Sequence, residues 1–205
     1  MVIAYNTNMV KPSEAPQGYM DLLDPRWKGK VAVDSSPDTW IFGMLNKWGF
    51  DKTYKYQKQL IEDQKALIRK GHTSQTNLLI AGAFPVSAEL YAYKMAQMKD
   101  QGAPVDMVFA KEFVSTEASG VGISSRAPNP YTAMLFARFH VDPEGGQKIL
   151  AQFGRVMAHP DTKLKYKELQ QVTAKDTLDR MSLLTAKELV EFSKSYTKII
   201  KEIYN

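Results

Sequence analysis

The chain has 205 residues, 44% of them hydrophobic and 24% charged, which excludes a disordered or fibrous polymer and allows one or two packed domains. It has no cysteine, so disulfides, zinc–thiolate sites and thiol nucleophiles are excluded. The net charge of +5 raises the question of nucleic acid, but acidic and basic residues alternate through 52–70 and 163–201 as on solvated helix faces, and no nucleic-acid partner is expected.

No apolar run approaches the roughly 20 residues that span a bilayer. The N-terminus lacks a basic segment followed by an apolar core, so the sequence shows no secretory signal. In chain order, Val2–Asn6 is a strand candidate and 12–18 a polar, proline-rich linker. Asp21-Leu22-Leu23-Asp24-Pro25 reads as a short helix broken by proline, Trp27-Lys28-Gly29-Lys30 as a turn and Val31-Ala32-Val33 as a buried strand. Asp34-Ser35-Ser36-Pro37 is the polar loop at that strand's carboxyl end. A helix then opens at Pro37, carries Trp40, Phe42, Met44, Leu45 and Trp48, and stops at Gly49. Trp40 and Trp48, eight residues apart, fit one buried helix face. Asp51 caps a second helix with Tyr54, Leu60 and Ile61 inward.

Thr73-Ser74 is placed as the N-cap of a helix over 75–81. A strand over 84–88, a helix over 90–101 and a strand over 105–109 continue the alternation, which predicts an α/β layer domain. Residues 120–123 form another short strand. After it no strand is expected, only helices over 130–140, 143–153 and 186–204, the last capped by Thr185.

Four segments carry a resemblance. They are IAYNT at 3–7 with DLLDPRWKGKVAVD at 21–34; GAFPV at 82–86 with GAPV at 102–105; VGI at 121–123 with APNP at 127–130 and Leu135-Phe136; and DPEGGQ at 142–147. In this order the chain resembles the extracellular solute-binding proteins of ABC importers, in the branch that includes ferric-iron binders. The resemblance implies a type 2 periplasmic-binding-protein-like fold, with two α/β lobes closing on a small polar or anionic ligand or a metal complex. It implies an ABC permease as partner and a periplasmic or extracellular location. Carried onto this chain, it places a ligand-binding α/β lobe at 1–124, with hinge-crossing strands at 2–6 and 119–124. Residues 125–205 become the helices that complete a first lobe whose N-terminal part is absent, so the chain is expected to be a C-terminal fragment. The apolar helix faces at Leu135, Phe136, Phe139, Ile149, Leu150 and Phe153 then lead to an expectation of self-association or a rearranged helical tail.

The lobe should offer its solute strand-end polar groups and helix N-termini. The candidates are Ser35, Ser36 and Thr39 after the first strand, Thr73 and Ser74 at the next helix start, and Glu89, Tyr91 and Tyr93 beyond it; all three groups should converge on one surface. Each serine–threonine group has helix capping as its competing use. Tyr91 and Tyr93 fall where the ferric binders carry adjacent tyrosines. Ala92 separates them, and at helical spacing they diverge, which argues for another solute over iron. His72 has no second histidine at metal-ligand spacing. No cofactor is expected. Glu62-Asp63 reads as solvent-facing, and no GxSxG, HExxH, P-loop or dinucleotide fingerprint is present, so the chain reads as a binder. The rival reading is a stand-alone α/β enzyme or regulatory ligand-binding domain that uses the same lobe.

Overall fold

The computed structural model describes residues 1–116, 119–157, 159, 162–173 and 175–204. Every residue of β1 (Val2–Asn6) is buried, because the strand lies inside a sheet with an apolar core on each face. Its period of two sorts the side chains. Ile3 and Tyr5 join Val31, Val33 and Trp40 on one face, while Val2 and Ala4 join Ala32, Leu79 and Leu90 on the other. The stretch after β1 is not a free linker: Val10, Ala15, Tyr19, Leu22 and Trp27 are all buried along it, through short 3-10 turns at Pro12–Glu14, Met20–Leu23 and Pro25–Trp27.

β2 (Val31–Asp34) leads to α1 (Asp38–Lys58), which is interrupted at Gly49 (φ 75°), where glycine alone takes the backbone without strain. The break falls at Gly49, where the sequence places the stop of the first helix, and the second expected helix continues from it. Trp40 is fully buried and packs with Tyr19, Tyr56 and Phe113; Trp48 lies half-buried against the same cluster. β3 (Leu67–Arg69) was not foreseen. α2 (His72–Ile80) starts before Thr73, with Gly71 as N-cap, so Thr73 and Ser74 are exposed first-turn residues and not the cap.

β4 (Val86–Leu90) runs two residues beyond its expected end, α3 (Ala92–Asp100) starts correspondingly later, and β5 (Val105–Val108) follows. The sheet order is β3-β2-β4-β1-β5. β2 pairs in parallel with β3 and β4, and β1 runs antiparallel to both β4 and β5.

Residues 119–124 carry no strand, and so no crossing strand lies beside β1 there. The ladder forms earlier, as β6 (Val114–Ser115), where Phe113, Val114 and Ser115 are buried and Gly43 leaves room for the Ser115 side chain. Residues 119–124 are fully on the surface, with Gly120 and Gly122 adding conformational entropy that no burial offsets. The Met1 amine does donate to the Ser115 carbonyl, so β6, not 119–124, adjoins the start of β1.

α4 (Pro130–Val141) matches expectation, whereas α5 (Gly146–Gln152) is shorter, its start delayed to the second glycine with Gly145 as N-cap. α4 has no buried residue, and Leu135, Phe136, Phe139, Ile149 and Phe153 are all exposed. After α6 (Lys175–Arg180), β7 (Met181–Ser182) pairs in parallel with β6, a strand where none was expected. α7 (Ala186–Ile199) opens on a Thr185–Glu188 capping box and packs Ile199 against Ile41 and Leu45 of α1.

Candidate functional site

β3, β2 and β4 are parallel neighbours, so their carboxyl ends share one rim, and each turns at once into a helix. The N-cap residues of α1, α2 and α3, Pro37, Gly71 and Tyr91, make no side-chain cap hydrogen bond. α1 compensates with Asp38, whose carboxylate takes the Thr39 N–H at 2.7 Å. α2 and α3 have no acidic residue in the first turn. Their opening N–H groups and positive dipole ends therefore create a field at the rim that favours an anion.

Beneath the rim lies a buried ionic cluster. Glu89 is fully buried; one carboxylate oxygen accepts the Asp34 N–H at 2.9 Å and the other lies 2.5 Å from His72 Nε2. His72 Nδ1 faces Asp34 Oδ2 at 3.8 Å, an oxygen with no hydrogen-bond partner among the described residues. Burial pushes the Glu89 carboxyl above its ordinary range, against the pull of its hydrogen bond to His72. For His72, burial favours the neutral ring, but the hydrogen bond and charge of Glu89, helped by Asp34 and Asp38, prevail and raise its pKa. The pair thus holds a proton more firmly than its separated members. Both ring nitrogens face carboxylates, Nε2 within hydrogen-bond distance and Nδ1 at 3.8 Å.

Above this cluster runs a ladder of rings. His72 lies 4.8 Å from Tyr91, Tyr91 lies 5.7 Å from Tyr93, and the Arg155 guanidinium is 4.0 Å from the Tyr93 ring centre. Tyr91 is the extended residue between β4 and α3 (φ −74°, ψ 120°). The two tyrosines therefore do not diverge as helical spacing requires, and the objection to a phenolate pair drawn from that spacing fails.

The expected groups sit at the carboxyl ends of β2 and β4 and in the first turns of α1, α2 and α3. The Ser36 N–H donates to Asp34 Oδ1 at 2.9 Å and the Ser35 N–H to the Arg69 carbonyl at 2.9 Å, while Thr39 lies in the first turn of α1. Thr73 and Ser74 follow His72 on the exposed start of α2. Glu89 lies under the rim as a support for His72 and Asp34, not as a group open to solute. Asp34, His72 and Arg155 were missed. Asp34 before Ser-Ser-Pro had a readable turn signal, but nothing in the spacing of His72 pointed to carboxylates far from it in the chain. Among the described residues no group of three or more His, Asp and Glu side chains is arranged to hold a metal ion. A groove of about 600 Å³, lined by Pro143, Lys148, Ala151 and Lys163 among others, shares none of the rim residues.

The sequence model of bacterial extracellular solute-binding proteins matches residues 1–177. The chain belongs to this family. Iron uptake protein A1 of Synechocystis sp. is 28% identical over 166 residues, covering 74% of this chain and 45% of that protein, so the chain spans less than half of this relative. Among solved structures, Trichodesmium FutA (IdiA) in complex with iron and citrate superposes with a TM-score of 0.75 at 23% identity, covering 98% of this chain and 66% of that one. AfuA of Actinobacillus pleuropneumoniae, with bound fructose-6-phosphate, gives 0.70 at 24% identity, covering 98% and 65%. These likenesses establish the type 2 periplasmic-binding fold that the sequence resemblance implied. Family members and neighbours of this solute-binding group are extracellular or periplasmic binding proteins.

Proposed function

We propose that the chain binds an anionic, oxygen-rich solute, bearing phosphate or carboxylate groups or presenting them as a ferric complex, for uptake through an ABC importer. The observation that carries this reading is the meeting of the uncapped N-termini of α2 and α3 at one rim, beside His72 and Arg155. Iron with citrate in the Trichodesmium protein and fructose-6-phosphate in AfuA share this chemistry, since both carry several anionic oxygens. The 5.7 Å approach of the Tyr91 and Tyr93 rings supports a ferric complex as one member of the class, phenolate oxygen being a hard donor. Ser35, Ser36, Thr39, Thr73 and Ser74 add hydroxyl groups along the same edge, and Thr73 and Ser74 also add first-turn N–H groups of α2.

The protein acts on its solute by binding alone, a reading supported by the family. In the two-lobe arrangement that the resemblance implies, closure over this rim presents the loaded form to a membrane permease outside the cytoplasm. Thermal unfolding with added inorganic phosphate, citrate, ferric citrate, fructose 6-phosphate and a neutral sugar tests the solute class. A ligand at about 100 times its Kd adds roughly 2.7 kcal/mol to folding stability. Stabilisation by at least one anion and none by the neutral sugar supports the reading; stabilisation by the neutral sugar alone overturns it.

A further inference from the structure

Arg155 is placed by a built turn. α5 ends in a Schellman arrangement in which the Gly154 N–H donates to the Ala151 carbonyl at 2.9 Å and the Arg155 N–H to the Leu150 carbonyl at 3.3 Å. Gly154 has φ +81°, and a Cβ there would lie 2.4 Å from Cε2 of Tyr166. Tyr166 is buried and packs with Leu169 against Ala92, Tyr93 and Ala96 of α3. The turn after α5 is thereby clamped to α3, and it sends the Arg155 side chain over the Tyr93 ring.

Tyr93 is the second residue of α3, so the guanidinium sits at the positive end of that helix. A cation there is repelled by the helix dipole unless an anion joins it. No carboxylate among the described residues pairs with Arg155. His72, set against Glu89 and Asp34, stands at the other end of the same ring ladder, and α2 adds a second N-terminus without a side-chain cap. Arg155 and the N-termini of α2 and α3 thus converge on the rim, with no anion among the described residues facing Arg155.

We infer that Arg155 is a specificity-determining residue of the rim, its guanidinium aimed by the Gly154–Tyr166 clamp to pair with a phosphate or carboxylate of the solute. The inference rests on the anionic-solute reading above and adds the residue that selects for it. Arginine suits the task because its planar fork makes two parallel hydrogen bonds to such a group, which lysine cannot match. The face of Tyr93 orients the plane while the exposed N–H edges stay available.

Calorimetric titration of the full chain with inorganic phosphate, citrate, ferric citrate and fructose 6-phosphate, on wild type, Arg155→Gln and Arg155→Lys, tests it. Loss of a charge-assisted bidentate contact weakens binding about 10- to 100-fold in Arg155→Gln. Arg155→Lys keeps the charge and loses the fork, so its affinity falls between wild type and the glutamine variant, and both variants unfold at the wild-type temperature. Affinity of Arg155→Gln within about twofold of wild type for every anion the wild type binds refutes the role of Arg155 and leaves the anionic reading intact. Loss of affinity accompanied by a lowered unfolding temperature makes Arg155 a structural residue and overturns the inference. Failure of the wild type to bind any of the four probes overturns both readings together.

Discussion

Glu89→Gln exchanges the buried carboxylate for an amide of nearly the same shape, and its effect depends on pH in a direction the structure dictates. In the wild type the two carboxylate oxygens accept from the Asp34 N–H at 2.9 Å and face His72 Nε2 at 2.5 Å. Glutamine offers only one acceptor. At pH 5.5, where His72 is protonated, one of those two donors must face the amide NH2. The loss combines a charge-assisted hydrogen bond with an orphaned buried donor, about 3 kcal/mol. Above the raised His72 pKa, the neutral ring can accept from the amide at Nε2 while its Nδ1–H points toward Asp34 Oδ2, 3.8 Å away. The Asp34 N–H then keeps the amide oxygen as acceptor and the amide NH2 finds one at Nε2, so the loss falls to about 1 kcal/mol.

The sign follows from linkage. His72 has a raised folded-state pKa, so the stability it supplies is fully present below its unfolded value of 6.5 and is lost as pH rises through the folded value. The buried Met1 amine, pushed down to about 6 by burial, titrates nearby with the opposite slope. Subtracting variant from wild type at each pH removes most of that contribution. For a chain of this size 1 kcal/mol is about 2–4 °C, so Glu89→Gln lowers the unfolding temperature by roughly 6–12 °C at pH 5.5 and 2–4 °C at pH 8.5. Urea denaturation at the two pH values measures the same difference isothermally. An equal loss at both, or a larger one at pH 8.5, would show that protonated His72 is not the partner of Glu89.

Other substitutions probe the scaffold. Trp40→Ala empties a fully buried position in the aromatic cluster and should cost about 3–5 kcal/mol in urea unfolding, with near-UV circular dichroism flattened even where the variant folds. Thr185→Ala removes half of the capping box on α7 and should cost about 1 kcal/mol, and Glu188→Ala combined with it should add less than its own single cost, because the two residues share one device. Leu135→Glu with Phe136→Glu alters an exposed face of α4 and should leave folding free energy within about 0.5 kcal/mol of wild type, while reducing self-association measured by light scattering at rising concentration.

The family was legible in ordered short segments, and much of the local structure in single residues. The apolar runs at Val2–Asn6 and 31–33 could only be buried strands, and burial on both faces was their consequence. Gly49 marked a break in α1, and Thr185 with Glu188 marked the start of α7, because these signals act within one helical turn. What stayed hidden was nonlocal. β3, three residues long, exists because β2 offers it an edge; β6 and β7 pair across more than sixty intervening residues. The candidate site shows the same division. The loops at Ser35-Ser36 and Thr73-Ser74 were visible as strand ends and helix starts. The continuation of β4 to Leu90 was decided by its pairing with β1 at Val2, and that extension brings Tyr91 beside Tyr93. His72 looked isolated because its partners, Asp34 and Glu89, belong to other strands, and Arg155 reaches the rim only through a turn clamped by Tyr166. Sequence spacing encodes contacts made within a helix turn or across a strand face; contacts between strand ends are set by sheet order, which spacing does not encode.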